Sequence, residues 1–557
     1  MSTIRIQQDY NRRETEAVSN FLTGLKENSM KEGTFDSASA ADFVSNVSNQ
    51  STGLNVPATL QAVLDEAGDN SPAIIRAVLD GVSQYEAEHG CTCPADVAEM
   101  AMHSAYSTTI DGMKKRGTLD GVADSNHSDP LSLQPNRAVV SILSVFAEAI
   151  PFAHYLPADI SSNEAKLAIL SHRTGSEYGA YAQGALLDGI YSGDSYLAAS
   201  RVHTVMPNGT GAVTGKLTKL QADGDTCKQD AAAIKLLRGR TIIYVNGRVA
   251  AREVDSTGTG PSAISGTLMI EGKSYAIGGT INTDTGEFSL TTTPALPTTV
   301  PVTVEGFIDY EREPALTPEV ISAVETYSLF AKPWRALTRQ TIDTRTQMVN
   351  ELGLDPYSES VIAIQGQFAN ERHYDVLRKG LRLAALNKEI FDYSTASGHQ
   401  DNSRGEVWRD LCYQLGVVSQ RMAEDTMNHG VTHLYVSKRV AAQLLSMPAD
   451  TFVPSGIAAR PGIYRLGRLF GQYEVYYTPK VLTETSTSSQ ILCAGRATDV
   501  GRNPVVLGDA VAPTIIPLAV NGDLRQGAGF YARNFTCVNP HDPSARGFGL
   551  IEVTNMD

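Results

Sequence analysis

The feature that most constrains this 557-residue chain is a change in hydrophobic period. Between residues 202 and 310 apolar side chains recur at every second position, the spacing of half-buried strands, and most of these runs have no helix signal between them. Arg240-Thr-Ile-Ile-Tyr-Val-Asn-Gly-Arg-Val-Ala predicts a hairpin. Its Asn246-Gly247 pair suits a two-residue turn that needs positive φ at both central positions. A second hairpin is predicted about Glu271-Gly272, and a third turn at Asp284-Thr285-Gly286. Residues 302–310 then alternate once more, so the block predicts a small antiparallel β-domain of about 100 residues.

The flanking sequence is built differently. Residues 57–67, 72–85 and 94–113 place apolar residues three and four apart behind Pro57, Pro72 and Pro94, which predicts three short amphipathic helices. Residues 31–54, rich in Ser, Asn and Ala, read as an arm or linker. A strongly apolar helix is expected at 138–150, closed by Pro151. Residues 166–200 carry Gly175, Gly179, Gly184, Gly189 and Gly193 among tyrosines, which predicts a glycine-bent loop or hairpin. Residues 320–339 read as one long strand with Trp334 and Arg335 near its middle. Beyond Asp355-Pro356, helical spacing runs through Val361, Ile364, Phe368, Tyr374, Leu377, Leu381 and Leu386. That is a rod of about 32 residues and about 48 Å, far above the mean helix. A helix at 406–428, a strand at 433–436, a helix at 437–446, strands at 474–478 and 490–494 and a closing β-region at 527–553 follow, giving an α+β chain.

Composition narrows the function. With 46 basic and 61 acidic residues the net charge is −15, which disfavours a protein whose affinity comes from neutralising nucleic-acid phosphates. Apolar residues make up 42% of the chain, enough for several cores, and the length suits two to four domains at roughly 150 residues each. No run approaches the roughly 20 apolar residues of a membrane helix, and no export signal is recognisable, so cytoplasm is the expected compartment. The six cysteines are too scattered for a disulfide framework; Cys412, Cys493 and Cys537 lie in apolar runs and are expected to be small core residues.

Motifs that could carry chemistry are incomplete. Gly272-Lys273-Ser274 resembles the end of a phosphate-binding loop, but the required earlier glycine is absent at Thr267 and a strand follows where a helix should begin. His429 and His433 have the spacing of a zinc pair without the glutamate after the first histidine, and are expected to be solvated. His89, Cys91 and Cys93 supply three soft donors with no second cluster to complete a shell. No nucleophile elbow or dinucleotide fingerprint occurs. The basic groups at 335–345 and Lys379-Gly-Leu-Arg382 read as solvated or subunit-pairing charges. No residue is therefore nominated as catalytic, cofactor-binding or metal-ligating, and no cofactor or enzymatic activity is expected.

The order of elements, read with several local phrases, resembles the major capsid proteins of tailed bacteriophages, particularly the contractile-tailed type, whose capsid fold is shared with the herpesvirus capsid floor. The likeness is carried by residues 134–151, by the loop at 166–193, and by Gly-Thr-Ile-Asn-Thr-Asp-Thr-Gly-Glu-Phe-Ser-Leu within 278–310. It continues through 331–353, Gly467-Arg-Leu-Phe-Gly-Gln-Tyr-Glu-Val-Tyr-Tyr, 511–517 and Gly529-Phe-Tyr-Ala-Arg. It covers about residues 131–553, and the long helical segment 1–130 departs from it.

The resemblance implies a helical N-terminal arm region at 1–130, an apolar helix and extended loop at 131–204, and a β-rich insertion domain at 205–312. It further implies a peripheral-domain strand and long spine helix at 313–402, an axial α/β domain at 403–525 and a closing strand of the peripheral domain at 526–557. The implied function is that of a structural subunit that self-assembles into hexamers and pentamers of an icosahedral head, with portal, scaffold and decoration proteins as partners. The head would enclose double-stranded DNA without sequence specificity, in a virion assembled in the host cytoplasm, and no membrane would be involved. In that setting the 166–200 loop would lap over a neighbour and the long helix would stiffen the subunit. Maturation proteases of related phages cut after Glu in Leu-x-Glu settings, which Leu25-Lys-Glu27 and Leu64-Asp-Glu66 fit; residues 1–130 are nevertheless expected to stay attached. Alternatives are a nanocompartment shell, a β-rich polysaccharide-acting protein and a tail-associated virion protein.

Overall fold

The computed structural model describes residues 2–31, 34–35, 47, 56–107, 130–157, 164–222, 225–353, 356–394, 404–518 and 525–556. Two compact units emerge: Met1–Ala168 together with Thr326–Asp557, and Ile169–Glu325.

The first unit begins with helices. α1 (Ser2–Ser29) buries Val18, Phe21, Leu22 and Leu25, one stripe at three- and four-residue spacing. α2 (Ala58–Ala67), α3 (Ser71–His89), α4 (Ala95–Tyr106) and α5 (Pro130–Ala147) follow. The first three of these match the predicted amphipathic helices, with prolines at their starts and Gly90 closing α3 in the left-handed conformation at φ 64°. Gly81 lets α3 and α5 approach closely, since a Cβ there would lie 2.2 Å from the Phe146 ring. The predicted linker at 31–54 lies almost wholly outside the described residues, as do residues 108–113 of the third predicted helix. Two strands close this part, β1 (His154–Tyr155) and β2 (Glu164–Thr174), the second running into the other unit.

The second unit is the β-domain that the period of two announced. β3 (Ser200–Val205), β4 (Ala212–Lys216), β5 (Ile242–Val245), β6 (Arg248–Glu253), β7 (Pro261–Ile270), β8 (Lys273–Asn282), β9 (Glu287–Thr293) and β10 (Val302–Phe307) form one sheet. Its order is β3-β10-β5-β6-β7-β8-β9-β4, antiparallel throughout. All three predicted turns occur. Asn246 and Gly247, at φ 49° and 74°, join β5 to β6, and Glu271 and Gly272, at 48° and 76°, join β7 to β8. The segment after β2 is glycine-bent as expected, with Gly179, Gly184, Gly189 and Gly193 all at positive φ. It is not a free loop, however: Tyr178, Tyr181 and Tyr196 are buried in the core of this unit, with ring centroids 5.7–6.0 Å apart. The chain leaves along β11 (Val320–Phe330), which pairs with β2.

The predicted single strand at 320–339 is in fact two. β11 ends at Phe330, Ala331 is buried, and β12 (Lys332–Thr341) joins a different sheet; Pro333, with no N–H to donate, sits at that start. The predicted long helix is α6 (Pro356–Leu383), prolonged by a 3-10 turn at Ala384–Leu386. Then come β13 (Lys388–Asp392), α7 (Arg404–Thr426), β14 (His433–Val436), α8 (Lys438–Leu445), β15 (Phe452–Pro454) and β16 (Tyr464–Leu469). β17 (Tyr473–Tyr477), β18 (Ser489–Ala494), β19 (Val505–Leu518), β20 (Arg525–Val538) and β21 (Phe548–Thr554) complete the chain.

Seven of these strands make a mixed sheet, β13-β21-β18-β14-β17-β16-β15, and a second sheet runs β12-β20-β19-β1. Residues 526–557, expected as one closing strand, therefore divide between the two sheets, because β20 pairs with β12 and β19 whereas β21 lies between β13 and β18. Cys493 is buried as expected, Cys537 is half-buried, and Cys412 is exposed. The buried stripe of α7 is Val407, Trp408, Leu411, Leu415, Val418 and Met422, and Cys412 falls one residue off it.

Candidate assembly surface

The candidate chemical motifs are taken up by the fold. Gly272-Lys273-Ser274 sits at the tip of the β7–β8 hairpin, with no helix behind it to hold a phosphate. His429 and His433, expected to be solvated, are both buried. His433 opens β14, whose four residues are all buried in the middle of the seven-stranded sheet, and the His429 ring packs against Gly495 and Gly547. His89 bonds through Nδ1 to the Tyr476 hydroxyl at 3.0 Å, and Cys93 is buried with its backbone N–H donating to Glu86. Among the described residues no three His, Cys, Asp or Glu side chains are placed to hold a metal ion. A shallow groove between β13 and α7 is lined by Ile390, Asp392, Arg409 and Tyr413. None of the described helices is long and apolar enough to cross a membrane.

Polar groups instead clamp the first unit together. Arg496 of the segment after β18 donates to the carbonyls of Pro151 (2.7 Å) and Ala153 (2.6 Å) and meets Asp96 of α4 at 2.8 Å. Burial alone would raise the Asp96 carboxyl, but Arg496 and His154 hold it at about 2. Deeper still, Arg372 of α6 faces Asp509 of β19 at 3.0 Å and Glu148, just past α5, at 3.8 Å. Two buried carboxyls share one guanidinium, and burial pushes Glu148 up to about 8. Sequence reasoning missed this triad because its members come from three distant elements and carry no local pattern.

A chain of rings joins α3, the large sheet and α6. His89 bonds Tyr476 of β17, Tyr476 stacks on Tyr435 of β14 with centroids 5.4 Å apart, and the Tyr435 hydroxyl meets His373 Nε2 of α6 at 3.0 Å. His433 packs between Phe152 and Tyr476. Burial lowers the basicity of all three, and like charge adds to it, from Arg465 and Arg460 at His89, from His89 at His373, and from Arg496 and His89 at His433: His89 falls to about 4, His373 and His433 to about 3.

Each unit leaves strand surface bare. On the three-stranded part of the second sheet, Trp334, Ala336, Phe530, Ala532 and Ile515 pack against Phe368 and Ile364 of α6. The rings of Trp334 and Phe530 each lie 5.2 Å from that of Phe368, and Trp334 Nε1 donates to Asn534 Oδ1 at 2.8 Å. β12 is the edge of this sheet, and β2 and β11 form a ribbon with no third strand among the described residues. In the first unit Phe330, Leu337 and Ile342 are at least 46% exposed on β12 and just outside it; in the second, Val320, Ile321 and Val324 are at least 45% exposed on β11. Isolated exposed apolar residues are ordinary, but a file of them on unpaired strands is what self-association uses. Of the basic groups noted in the sequence, Lys379 is engaged with Asp375 and the Thr536 carbonyl, whereas Arg335 and Arg339 lie exposed on β12.

Neither family models nor curated protein sequences match the chain. Solved structures similar to it include the capsid of the jumbo bacteriophage PhiKZ, at 10% identity and a TM-score of 0.36 over 72% of this chain and 91% of that one. The capsid of the Myoviridae phage XM1 is similar at 8% identity and a TM-score of 0.27, over 58% and 90%. The encapsulin of Synechococcus elongatus is similar at 11% and 0.26, over 43% and 78%. These structural neighbours of the chain are thus tailed-phage capsid proteins and an encapsulin, alike at low identity.

Proposed function

We propose that this chain is a structural shell subunit, the major capsid protein of a tailed phage, and that it acts by packing against copies of itself. The observation that carries the reading is the bare edge strand β12, with Leu337 on it and Phe330 and Ile342 just outside it, large apolar side chains that a solitary chain leaves in water. Repeated contacts of this kind build a closed shell although each is modest, since symmetry multiplies them. The α6 helix, about 42 Å long and packed on one face of this sheet, supports the reading by giving β12 a stiff backing. The excess of acidic residues suits a wall that holds DNA without adhering to its phosphates.

In this reading the subunits form hexamers and pentamers of an icosahedral head around double-stranded DNA. Portal, scaffold and decoration proteins are its partners, the host cytoplasm is the place of assembly, and no turnover is performed. The test is negative-stain microscopy with sedimentation on the full-length chain, alone and with candidate scaffold and portal. Closed shells, tubes or hexameric rings are expected. A chain that stays monomeric with scaffold and portal present refutes the reading. Particles that co-purify with an enclosed enzyme instead of DNA make it a nanocompartment shell.

A further inference from the structure

The sheet behind α6 has a second face. Directly opposed residues on neighbouring strands share a face, so the register of β12, β20 and β19 gives its composition. Away from α6 the rows read Pro333–Arg533–Val511, Arg335–Tyr531–Thr514, Leu337–Gly529–Ile516 and Arg339–Gly527–Leu518, then Thr341–Arg525. No residue in these rows is acidic. Arg335 leans over the Tyr531 ring at 5.7 Å, and Arg533 donates through Nε to the Ala331 carbonyl. Among the described residues neither Arg335 nor Arg339 has a carboxylate partner. Leu337 between them is 55% exposed, and Ile516 and Leu518 on β19 are half-buried.

We infer that this face is the docking surface for the acidic exterior of a second copy of the chain, and that Arg335, Arg339 and Arg533 make the docking salt-dependent. The inference rests on the shell reading and adds the electrostatic identity of one contact. Charge complementarity argues for the occupant: a chain with 61 acidic and 46 basic residues presents an excess of carboxylates to any neighbour, and this face runs against that sign. Its apolar centre and the open edge of β12 argue for protein over a phosphate polymer, which needs a dense field of cations and is repelled by the net charge of −15. Cations at a contact rim govern association rate and salt response more than the final shape of the complex.

The experiment compares the full chain with R335E/R339E and, as a milder variant, R335A/R339A; both sites are exposed, and circular dichroism with a melting curve checks folding. Self-association is read by sedimentation velocity over a range of concentrations at low and high salt, DNA binding by a mobility shift, and shell closure by microscopy. R335E/R339E is expected to weaken association on the order of tenfold or more at low salt, with the alanine pair in between, and to remove most of the salt dependence. Unchanged association and salt response in a folded R335E/R339E overturns the inference. Loss of DNA binding with self-association intact overturns it in favour of a polyanion site. Shells formed equally well by the variant leave the shell reading standing and this inference refuted. Arginine-dependent association that never closes into particles does the reverse.

Discussion

The buried histidines make the first unit acid-sensitive in a way that one substitution can isolate. Burial first, then Arg496 and His89, lowers His433 to about 3, while an unfolded histidine titrates near 6.5. As pH falls below about 6.5 the unfolded chain takes up a proton that the folded chain refuses, so stability is whole above that pH and is lost progressively toward pH 3. Between pH 6.5 and 4.5 the loss from one such group is two pH units at 1.36 kcal/mol each, about 2.7 kcal/mol. His433→Gln keeps a polar side chain beside the Thr432 hydroxyl, which His433 Nδ1 meets at 2.7 Å, and removes the titration. Urea unfolding at pH 7.0 and 4.5 can be followed by tryptophan fluorescence, because Trp334 and Trp408 both lie in the first unit. The variant is expected to be less stable than the parent at pH 7.0, and its deficit is expected to shrink by about 2.7 kcal/mol at pH 4.5. Comparing the two proteins cancels the carboxyls that titrate in the same window. A deficit independent of pH would refute the reasoning.

Three further outcomes follow from the geometry. Phe368→Ala, which empties the contact between Trp334 and Phe530, is expected to cost about 3–5 kcal/mol in urea unfolding; a loss below 1 kcal/mol would mean that α6 is not held there. Glu148 is raised to about 8, so its stability contribution is present at acid pH and is lost as pH climbs from about 4.5 to 8; Glu148→Gln, always neutral, is expected to match the parent at pH 5 and exceed it at pH 8 by up to about 4 kcal/mol. Leu25 and Leu64 are buried inside α1 and α2, so neither Leu-x-Glu triplet offers an extended segment to a protease; intact mass spectrometry of assembled particles is expected to find residues 1–130 attached, and a chain starting after Glu27 or Glu66 would contradict this.

Local rules were legible where local chemistry decides. Two turns of the β-domain were readable because two-residue hairpins demand positive φ, which Asn246-Gly247 and Gly272 announce, and the third is marked by Gly286 at φ 72°. The α6 helix was readable from its spacing and from Pro356 at its start. What escaped was decided at a distance. The break at Ala331 exists because β11 and β12 pair with partners in different sheets, Glu164–Thr174 and Arg525–Val538. His433 reads as polar beside Gly430, yet the run His-Leu-Tyr-Val is buried on both faces of a central strand, and continuous apolar length was the signal to weigh. The tyrosines at 178, 181 and 196 read as loop residues because nothing nearby in sequence shows the sheet they cover. The bare basic face became visible only once register had aligned Arg335, Tyr531 and Thr514 in one row.

The way the chain enters and leaves the β-domain has an evolutionary consequence. Its two ends run side by side: Ser171 donates to the Ala323 carbonyl at 3.5 Å, Arg173 meets Glu325 at 2.7 Å, and Gly175 N–H bonds to the Glu319 carbonyl at 2.7 Å. A module whose termini are neighbours can be lost, exchanged or enlarged while the residues before and after it keep their separation. The segment between β2 and β11 is thus a natural place to graft a foreign domain.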